Sequence, residues 1–508
     1  MNTSCRGEGN SFYSWDGEKI LSERQVQFFL VLSVLIGCVL RCWNINQSFW
    51  WDEIWGTIAY AKASSLWQVV SSLGYYFNNH IFYSLLSRGS IKILGESEVA
   101  LRLPALVMGL LGIVMLFQFG KSFLGASSGI IASLLLAISV FHIEHSSEAR
   151  GYSALALFSI LSSFYFLKGL KTNELRSWTL FILSTVLGFY SHVFMIAVSI
   201  SQCCCALFFM VGGKWGFRKI GINPKAFKNF SLSLFFAAIT TMFIYSPVLS
   251  AFVANIGKVR LVHADRMPFM VSLLNSFFPG VQSIIGSIIY SILILSGIYF
   301  TFRKDRILCC YFLVLSLLPV SLYLLVNPMF VFERYFIFAL PFVLLIVSEG
   351  VVGIAGNFKG FYQKCMVIVL VFIILCLQFP AIHTIINQDR QNYREAVRFV
   401  ESEVKGGRNG DLVFSIGYAG EHFRYYSRST TIVIPETLRE LFAMATGKKR
   451  MWCLITAWLP AIRPPYEDQA LYAERPGQVE IYNYVKRNFK LTKHFPSKFH
   501  VDVYYLQR

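Results

Sequence analysis

Two adjacent carboxylates, Asp52 and Glu53, are the first residues of this 508-residue chain whose types and spacing could do chemistry. They come just after the first long apolar run of the sequence. An ionised carboxylate can take a proton from an incoming hydroxyl group while its neighbour holds it in place. Two acids can equally well begin a surface helix, next to an aromatic belt formed by Trp50, Trp51 and Trp55.

A second polar group lies between the third and fourth apolar runs. Arg150 and Tyr152 could bind a phosphate there, with Glu148 orienting the arginine, or Arg150 could extend from a helix end into the interface. Histidines and carboxylates in the same segment could bind a divalent metal ion, although no strict motif such as HExxH is present. The candidate metal ligands are His142, Glu144, His145 and Glu148.

Arg334 and Tyr335 form a third candidate group, at the start of an apolar run late in the chain. Two arginines from different helices, Arg150 and Arg334, would suit a phosphate at the level of the lipid headgroups. The alternative is that Arg334 pairs only with its neighbour Glu333 at the membrane interface.

Three further residues complete the set of candidates. Arg102 lies near one end of the second apolar run, where it could neutralise the two adjacent acids. His80 lies in the long loop after the first run, and His192 lies in a short turn between two later runs. A lone interfacial histidine is more often a structural residue than a catalyst, so both roles stay open for these two.

The composition indicates what must position these residues. The chain is 55% hydrophobic and 15% charged, whereas soluble domains carry about 25% charged residues. Its net charge of +18 would suggest nucleic acid in a soluble protein, but the basic residues lie mostly in short loops between apolar runs. We therefore expect a multi-spanning membrane protein that contacts membrane lipids, with no nucleic-acid partner.

Eleven apolar runs are long enough to cross a bilayer. The basic loops alternate along the chain, which places them and the N-terminal residues 1–24 in the cytoplasm and the candidate site residues on the outer face. An odd number of spans also places the C-terminus outside. The predicted spans are 25–42, 99–120, 126–142, 150–168, 177–190, 192–211, 231–253, 284–302, 307–326, 333–350 and 365–384.

The chain divides into a transmembrane domain at 25–386 and a soluble domain at 387–508. The transmembrane part contains one long outer loop, 43–98, with amphipathic stretches at 54–69 and 80–94. Helix and strand patterns alternate in the C-terminal part, which predicts a small extracytoplasmic α/β domain. Its predicted helices are 393–404 and 478–488, and its predicted strands are 411–416, 431–434, 451–456 and 501–506.

Together the motifs resemble the polyprenyl-phosphate-dependent glycosyltransferases of the GT-C type. Within them, the likeness is to a bacterial branch related to protein O-mannosyltransferases and lipid A aminoarabinose transferases. The likeness covers residues 20–350, and one departure is that His80-Ile-Phe-Tyr stands where relatives often have His-Pro-Pro before an aromatic residue. The matching pieces are Asp52-Glu53, His80 with its aromatic residues, Gly95-Glu-Ser-Glu-Val-Ala-Leu-Arg102-Leu-Pro, Ser147-Glu148-Ala-Arg150-Gly-Tyr152, Tyr190-Ser-His192 and Arg334-Tyr335 followed by Pro341.

The resemblance implies an enzyme that takes a sugar from a polyprenyl-phosphate donor at the outer face of a bacterial inner membrane. The acceptor would be a hydroxyl group of a glycan, a lipid or a protein. Asp52 would be the general base, and Glu53 would support it or contact the acceptor. Substrate-binding roles would fall to His80, Arg102, Glu148, Arg150, Tyr152, His192, Arg334 and Tyr335.

The expected chemistry is a single displacement that inverts the anomeric carbon. No cofactor is expected apart from the possible divalent metal ion. The alternative function is a transporter or flippase of a lipid-linked sugar, which would favour inverted repeats and helices broken near the bilayer midplane. The sequence has neither feature, and its polar residues cluster at one face.

Overall fold

A computed structural model of the protein is mostly helical. The N-terminal residues 1–21 and part of the predicted basic loop 212–230 lie outside the residues that it describes. The described residues are 22–72, 79–212, 224–256, 266–326, 332–388, 390–404, 410–416, 419–456, 476–497 and 501–507.

Each predicted apolar run lies mostly in helix, because a chain in lipid must satisfy its backbone hydrogen bonds within the segment. The helices up to residue 387 are α1 (Glu23–Cys42), α2 (Trp51–Glu53), a π-helical turn (Ile54–Ile58), α3 (Ala59–Ala61), α4 (Leu66–Ser71), α5 (Ile81–Leu94), α6 (Glu98–Phe123), α7 (Ala126–Ile138), α8 (Val140–Ser146), α9 (Tyr152–Thr172), α10 (Leu175–Ser191), α11 (Met195–Gly212), α12 (Pro224–Ile256), α13 (Arg266–Phe277), α14 (Ile284–Lys304), α15 (Arg306–Val326), a 3₁₀ turn (Glu333–Phe336), α16 (Leu340–Ala355) and α17 (Gly360–Asn387).

Seven helices in the described part of the chain are long and apolar enough to cross a membrane. The count is eight if α7 and α8, which are bent by 62° at their junction, form one span. Helices α10, α11 and α16 do not reach that length and apolarity, so the eleven crossings stay a prediction. The predicted tenth span, 333–350, begins in a 3₁₀ turn, and the α-helix α16 follows from Leu340, with Pro341 in its first turn.

Glycines let several helices approach one another closely. A Cβ on Gly120 of α6 would lie 2.5 Å from the Cα of Gly129 on α7, and a Cβ on Gly297 of α14 would clash with the carbonyl of Ile346 on α16. Small residues at helix crossings allow the backbone contact that stabilises bundles in lipid. The bundle is thus a closely packed support for the long loop after α1.

The long loop after α1 folds onto the ends of α6 and α9. Its predicted surface helices appear as α2 to α4 and as α5. Phe49, Ile54, Tyr83, Leu101 and Ala149 form a small buried cluster there. This cluster fixes the segment that carries Asp52 and Glu53.

The C-terminal part contains the predicted small α/β domain, with a five-stranded sheet of order β2-β1-β3-β5-β4. Strand β1 is parallel to β2 and β3, whereas β5 is antiparallel to β3 and β4, and apolar side chains pack on both faces. The sequence patterns missed β4 and two short helices. The elements are α18 (Tyr393–Val404), β1 (Asp411–Ser415), α19 (Ala419–Tyr426), β2 (Ile432–Val433), α20 (Leu438–Ala445), β3 (Arg450–Thr456), α21 (Pro476–Asn488), β4 (Lys490–Phe495) and β5 (Val501–Gln507).

Polar contacts from α18 and α19 attach the sheet domain to the long loop after α1. The Tyr426 hydroxyl accepts a hydrogen bond from the Phe49 N–H at 2.7 Å and donates one to Glu98 at 3.1 Å. Arg394 forms an ion pair with the same Glu98 at 2.8 Å. The soluble domain therefore packs directly on the segment that leads to Asp52.

Candidate active site

Glu53 is completely buried and holds the loop around it in place. Its Oε1 accepts hydrogen bonds from Arg102 Nε at 2.7 Å and from the Ala149 N–H at 2.6 Å. Its Oε2 accepts from Arg102 Nη2 at 2.6 Å and from the Trp50 N–H at 3.0 Å. A buried carboxylate with a bidentate arginine and two backbone donors is well satisfied, so Glu53 joins the loop to α6 and to the start of α9.

Arg102 pairs with Glu53, as the sequence suggested, but it has no N–H left for a substrate. Its remaining donors bind the carbonyl oxygens of Ile45 at 2.9 Å, Gln47 at 2.7 Å and Ser48 at 3.1 Å. All five guanidinium N–H groups therefore have acceptors within the protein. The residue positions Glu53, and this geometry gives no support to the substrate-binding role predicted for it.

Asp52 points away from this pair and meets two other arginines. Its Oδ2 lies 2.5 Å from Arg334 Nη2, and its backbone carbonyl accepts a hydrogen bond from Arg150 Nη1 at 3.3 Å. The Asp52 and Arg334 side chains are 14% and 13% exposed, so a molecule at the outer surface can reach both. The alternative pairing of Arg334 with Glu333 is not formed, since Glu333 binds the Ser272 hydroxyl instead.

His80 and His192 lie buried beside these arginines. Burial lowers the pKa of both imidazoles, and repulsion from Arg150 and Arg334 lowers it further, to about 3 for His192. Both rings are therefore neutral near pH 7.

The tautomer of each ring follows from its backbone contact. Nδ1 of His80 accepts a hydrogen bond from the Gly151 N–H at 2.8 Å, and Nδ1 of His192 accepts one from the Phe194 N–H at 3.1 Å. The proton of each neutral ring is thus on Nε2. Nε2 of His80 lies 3.2 Å from Arg150 Nη2, so two donors face each other where an anionic oxygen could accept from both.

Aromatic rings surround the Arg334 guanidinium. It lies 5.4 Å from the Trp50 ring and 5.6 Å from the Tyr152 ring, and Tyr335 stacks on Tyr152 at 6.2 Å. The hydroxyl of Tyr152 is buried and has no hydrogen-bond partner within the described residues. These rings hold the cation in place without adding a negative charge, so Asp52 is its one ion-pair partner among the described residues.

Glu148 does not orient Arg150, contrary to the sequence prediction. Its carboxylate accepts a hydrogen bond from Trp50 Nε1 at 2.8 Å and contacts His145 Nδ1 at 2.9 Å and Arg390 Nη1 at 3.5 Å. The residue thus holds the Trp50 indole in place, and the predicted direct substrate contact has no support from this geometry.

Arg390 is a site residue that the sequence patterns missed. It follows α17 in the connection to the sheet domain, pairs with Glu144 at 2.8 Å, and lies 5.3 Å from the Trp50 ring. Trp50 is thereby in contact with two guanidinium groups. A lone arginine in a polar connection belongs to no sequence motif. Only the two nearby acids of the 142–150 segment, Glu144 and Glu148, could have indicated that a basic residue would pair with them.

Of the four predicted metal ligands, His145 and Glu148 contact each other, at 2.9 Å. His142 Nδ1 lies 2.6 Å from Arg41 Nη2, inside the bundle, while Glu144 and Glu148 face Arg390. Across the described ranges, no group of three or more His, Cys, Asp or Glu side chains could hold a metal ion.

The charges that remain define what this site can bind. Glu53 is paired with Arg102, and Glu144 and Glu148 are paired with Arg390. Arg150 and Arg334 both lie beside Asp52, one at its backbone carbonyl and the other at its carboxylate. Two guanidinium groups and the Nε2–H of His80 around one carboxylate can bind an anion such as a phosphate next to a base.

Comparison by sequence gives one family match. The model of the dolichyl-phosphate-mannose-protein mannosyltransferase family matches residues 81–250, about a third of the chain. The match includes Arg102, Glu148, Arg150, Tyr152 and His192 and excludes the segment of Asp52. A search of curated proteins finds no match.

Solved structures share the fold over nearly the whole chain. ArnT from Cupriavidus metallidurans in the apo state is 10% identical, with a TM-score of 0.57 over 94% of this chain and 97% of that chain. The same protein bound to undecaprenyl phosphate also has a TM-score of 0.57 at 10% identity, over 95% of this chain and 98% of that chain.

An archaeal structure is similar as well. The Archaeoglobus fulgidus oligosaccharyltransferase tethered with an acceptor peptide has a TM-score of 0.55 at 10% identity, over 93% of this chain and 73% of that chain. At such low identity the likeness concerns the fold. The chain has the GT-C fold of membrane glycosyltransferases, and the resemblance expected from its motifs is confirmed.

Proposed function

We propose that this protein is a membrane glycosyltransferase that moves a sugar from a polyprenyl-phosphate donor to an acceptor hydroxyl group. The observation that supports it most is the arrangement of Arg334 and Arg150 beside the single carboxylate of Asp52. A phosphate leaving group needs cations, and an acceptor hydroxyl needs a base. A related fold that binds undecaprenyl phosphate is consistent with a donor of this class.

The reaction is a single displacement. The acceptor oxygen attacks the anomeric carbon while its proton passes to Asp52, and the bond from that carbon to the phosphate oxygen breaks with its electron pair on the phosphate. Arg334, Arg150 and the Nε2–H of His80 stabilise the charge that develops there. Attack opposite the leaving group inverts the anomeric carbon.

The ion pair with Arg334 has two effects on Asp52. It orients the carboxylate, because the guanidinium lies 2.5 Å from Asp52 Oδ2. It also places the base next to the phosphate site, since a guanidinium with five donors can bind a carboxylate and a phosphate together. Glu53 fixes the backbone next to Asp52 through its hydrogen bonds with Arg102 and with the Trp50 and Ala149 N–H groups.

The proposed location is a bacterial inner membrane with the sheet domain in the periplasm. The lipid tail of the donor would lie against the helices, and the acceptor would approach from the outer face, where Asp52 is open. The acceptor could be a glycolipid, a polysaccharide or a protein, and a divalent metal ion could assist through groups of the substrate.

A donor panel tests the proposal. Purified protein in vesicles is mixed with radiolabelled polyprenyl-phosphate sugars and a membrane extract, and transfer of label to the extract is counted. We expect one donor to be consumed only when the extract is present. If no donor is consumed while the vesicles move the labelled lipid between leaflets, the transporter alternative replaces the glycosyltransferase.

A further inference from the structure

A polar cavity of about 240 Å³ lies between the turn after α1 and the first turn of α18. It is separate from the site around Asp52. One wall belongs to the transmembrane part and the other to the sheet domain. Its lining includes Trp43, Asn46, Gln47, Asn392, Arg394 and Glu395.

The walls of this cavity are held together by hydrogen bonds. Ser48 Oγ donates to Glu395 Oε2 at 3.0 Å and accepts from the Arg394 N–H at 3.1 Å. Arg394 Nη2 donates to the Asn46 carbonyl at 3.0 Å. Asn44 Nδ2 donates to the Ile385 carbonyl at 2.5 Å, which ties the turn to α17. The cavity is therefore a built feature of the contact between the two parts of the molecule.

Several polar groups in the cavity are available to a ligand. The side-chain amides of Asn46 and Gln47 make no hydrogen bond within the described residues, although their backbone carbonyls do. Each oxygen of Glu395 accepts one hydrogen bond and has a further lone pair, and that side chain is 38% exposed. Amides that donate and accept, next to a carboxylate, match the hydroxyl groups of a sugar.

The charge balance of the cavity argues against an anionic ligand. Arg394 is its one cation among the lining residues, and it is paired with Glu98 at 2.8 Å and Glu395 at 3.0 Å. The exposed indole of Trp43 adds an apolar face. The volume is below the ~300–1,000 Å³ of pockets for drug-sized ligands, so it suits a single sugar ring.

We infer that this cavity binds one neutral sugar unit of a glycan-bearing acceptor. The inference rests on the proposed glycosyltransferase function and narrows its acceptor to a molecule that carries sugar. Its position supports it: the Ser48 carbonyl accepts a hydrogen bond at 3.1 Å from Arg102, which holds Glu53. Ser48 and Asp52 are four positions apart in the sequence, so their Cα atoms can be separated by at most about 14 Å. A glycan anchored in the cavity can thus reach the base.

The test measures sugar binding without turnover. Saturation-transfer NMR is recorded on the full-length protein in nanodiscs with a panel of neutral methyl glycosides and their phosphorylated counterparts. We expect at least one neutral glycoside to bind, and the double variant Asn46→Ala with Gln47→Ala to weaken that binding at least about tenfold. Asn357→Ala, an exposed amide at the other end of the bundle, is the matched control and should bind like the wild type.

Other outcomes separate this inference from the proposed function. Binding of no neutral glycoside, equal binding by the double variant, or preference for the phosphorylated sugars would each overturn the sugar site. A wild type that consumes no donor could still bind sugar in a way that depends on Asn46 and Gln47. That result would contradict the proposed glycosyltransferase function and support the sugar site in the cavity. In the supporting result, the double variant raises the KM for acceptor and leaves binding of polyprenyl phosphate unchanged.

Discussion

At the scale of single residues, Arg334 has two proposed roles: it orients Asp52 and it binds the donor phosphate. It forms an ion pair with Asp52 at 2.5 Å, and the uncharged rings of Trp50 and Tyr152 orient its guanidinium. Arg102 is the contrasting arginine, because every one of its N–H groups is used by the protein. The same residue type serves binding in one place and support in the other.

Replacing Arg334 should reduce the affinity for the lipid-phosphate donor more than it reduces the stability of the protein. Arg334→Gln removes charged hydrogen bonds worth about 1.5–3 kcal/mol, so we expect polyprenyl phosphate to bind about 10- to 100-fold more weakly. The measurement is displacement of a labelled polyprenyl phosphate from purified protein. Arg424→Gln, at an exposed pair with Glu421, is the control. Equal affinity in both variants would show that Arg334 does not touch the phosphate.

The buried histidines predict a loss of stability in mild acid. The pKa of His192 is about 3 in the folded protein, below its ordinary value of 6.5, because of burial and the two arginines. Between these values the unfolded state binds a proton that the folded state does not, so stability is present above pH 6.5 and is lost as the pH falls. One such group accounts for about 2 kcal/mol between pH 7.5 and pH 5.

His192→Asn tests this assignment, since the amide oxygen can still accept from the Phe194 N–H. We expect its thermal midpoint to fall less between pH 7.5 and pH 5 than that of the wild type. His383→Asn changes an exposed histidine of α17 and should follow the wild-type curve. An unchanged slope in His192→Asn would mean that this imidazole is not the buried neutral group described here.

At the scale of elements, the site depends on how closely the start of α9 approaches its neighbours. Gly151 precedes α9, and a Cβ there would lie 2.7 Å from the Ser191 carbonyl and 2.8 Å from His80 Nδ1. The glycine thereby permits the contact that sets the tautomer of His80. It also joins the outer ends of α5, α9 and α10 at one point.

Gly151→Ala should disturb this junction. We expect a loss of about 1–3 kcal/mol in stability, typical of overpacking, together with slower turnover because His80 shifts. Thermal midpoint and donor consumption measure the two effects. Gly89→Ala in α5 has open space around the new methyl group and should be neutral or stabilising. A Gly151→Ala protein that matches Gly89→Ala in both measurements would contradict the account of this contact.

Sequence patterns predicted which segments are helical more accurately than they predicted where the helices bend or end. Apolar runs predict helix reliably because lipid forbids unpaired backbone, but the bend between α7 and α8 at Ser139 and the 3₁₀ turn before α16 depend on packing that a hydropathy pattern does not contain. The motif residues Asp52, Arg150 and Arg334 do converge. The pairing of Arg102 with the adjacent acids was also predicted, whereas the roles of Glu148 and Arg390 follow from contacts between distant segments, which no local spacing reveals.

At the scale of the whole molecule, the sheet domain and the bundle share one boundary that includes the site. Arg390 reaches Trp50 from the connection between them, and Tyr426 and Arg394 fasten the sheet domain to the loop of Asp52. This arrangement requires the sheet domain to lie on the same face of the membrane as the site. The basic loops at the other end of the bundle predict that this is the outer face.

Labelling with a membrane-impermeant maleimide measures that orientation. In a background where the exposed Cys42, Cys204 and Cys376 are serine, Ser402→Cys in α18 should react in intact spheroplasts. Glu174→Cys, in the turn between α9 and α10, should react only after lysis. The reverse pattern would place the site in the cytoplasm and contradict the proposed topology.

The central claim is that Asp52 is the base of a sugar transfer, and Asp52→Asn tests it most directly. The amide keeps the shape of the side chain but cannot accept the proton, so we predict turnover of the donor to fall about 100- to 10,000-fold while polyprenyl phosphate still binds. Asp305→Asn, which removes a carboxylate paired with Lys171 at 2.8 Å at the other end of the bundle, should keep its activity. Turnover by Asp52→Asn at the rate of the Asp305→Asn control would contradict the account.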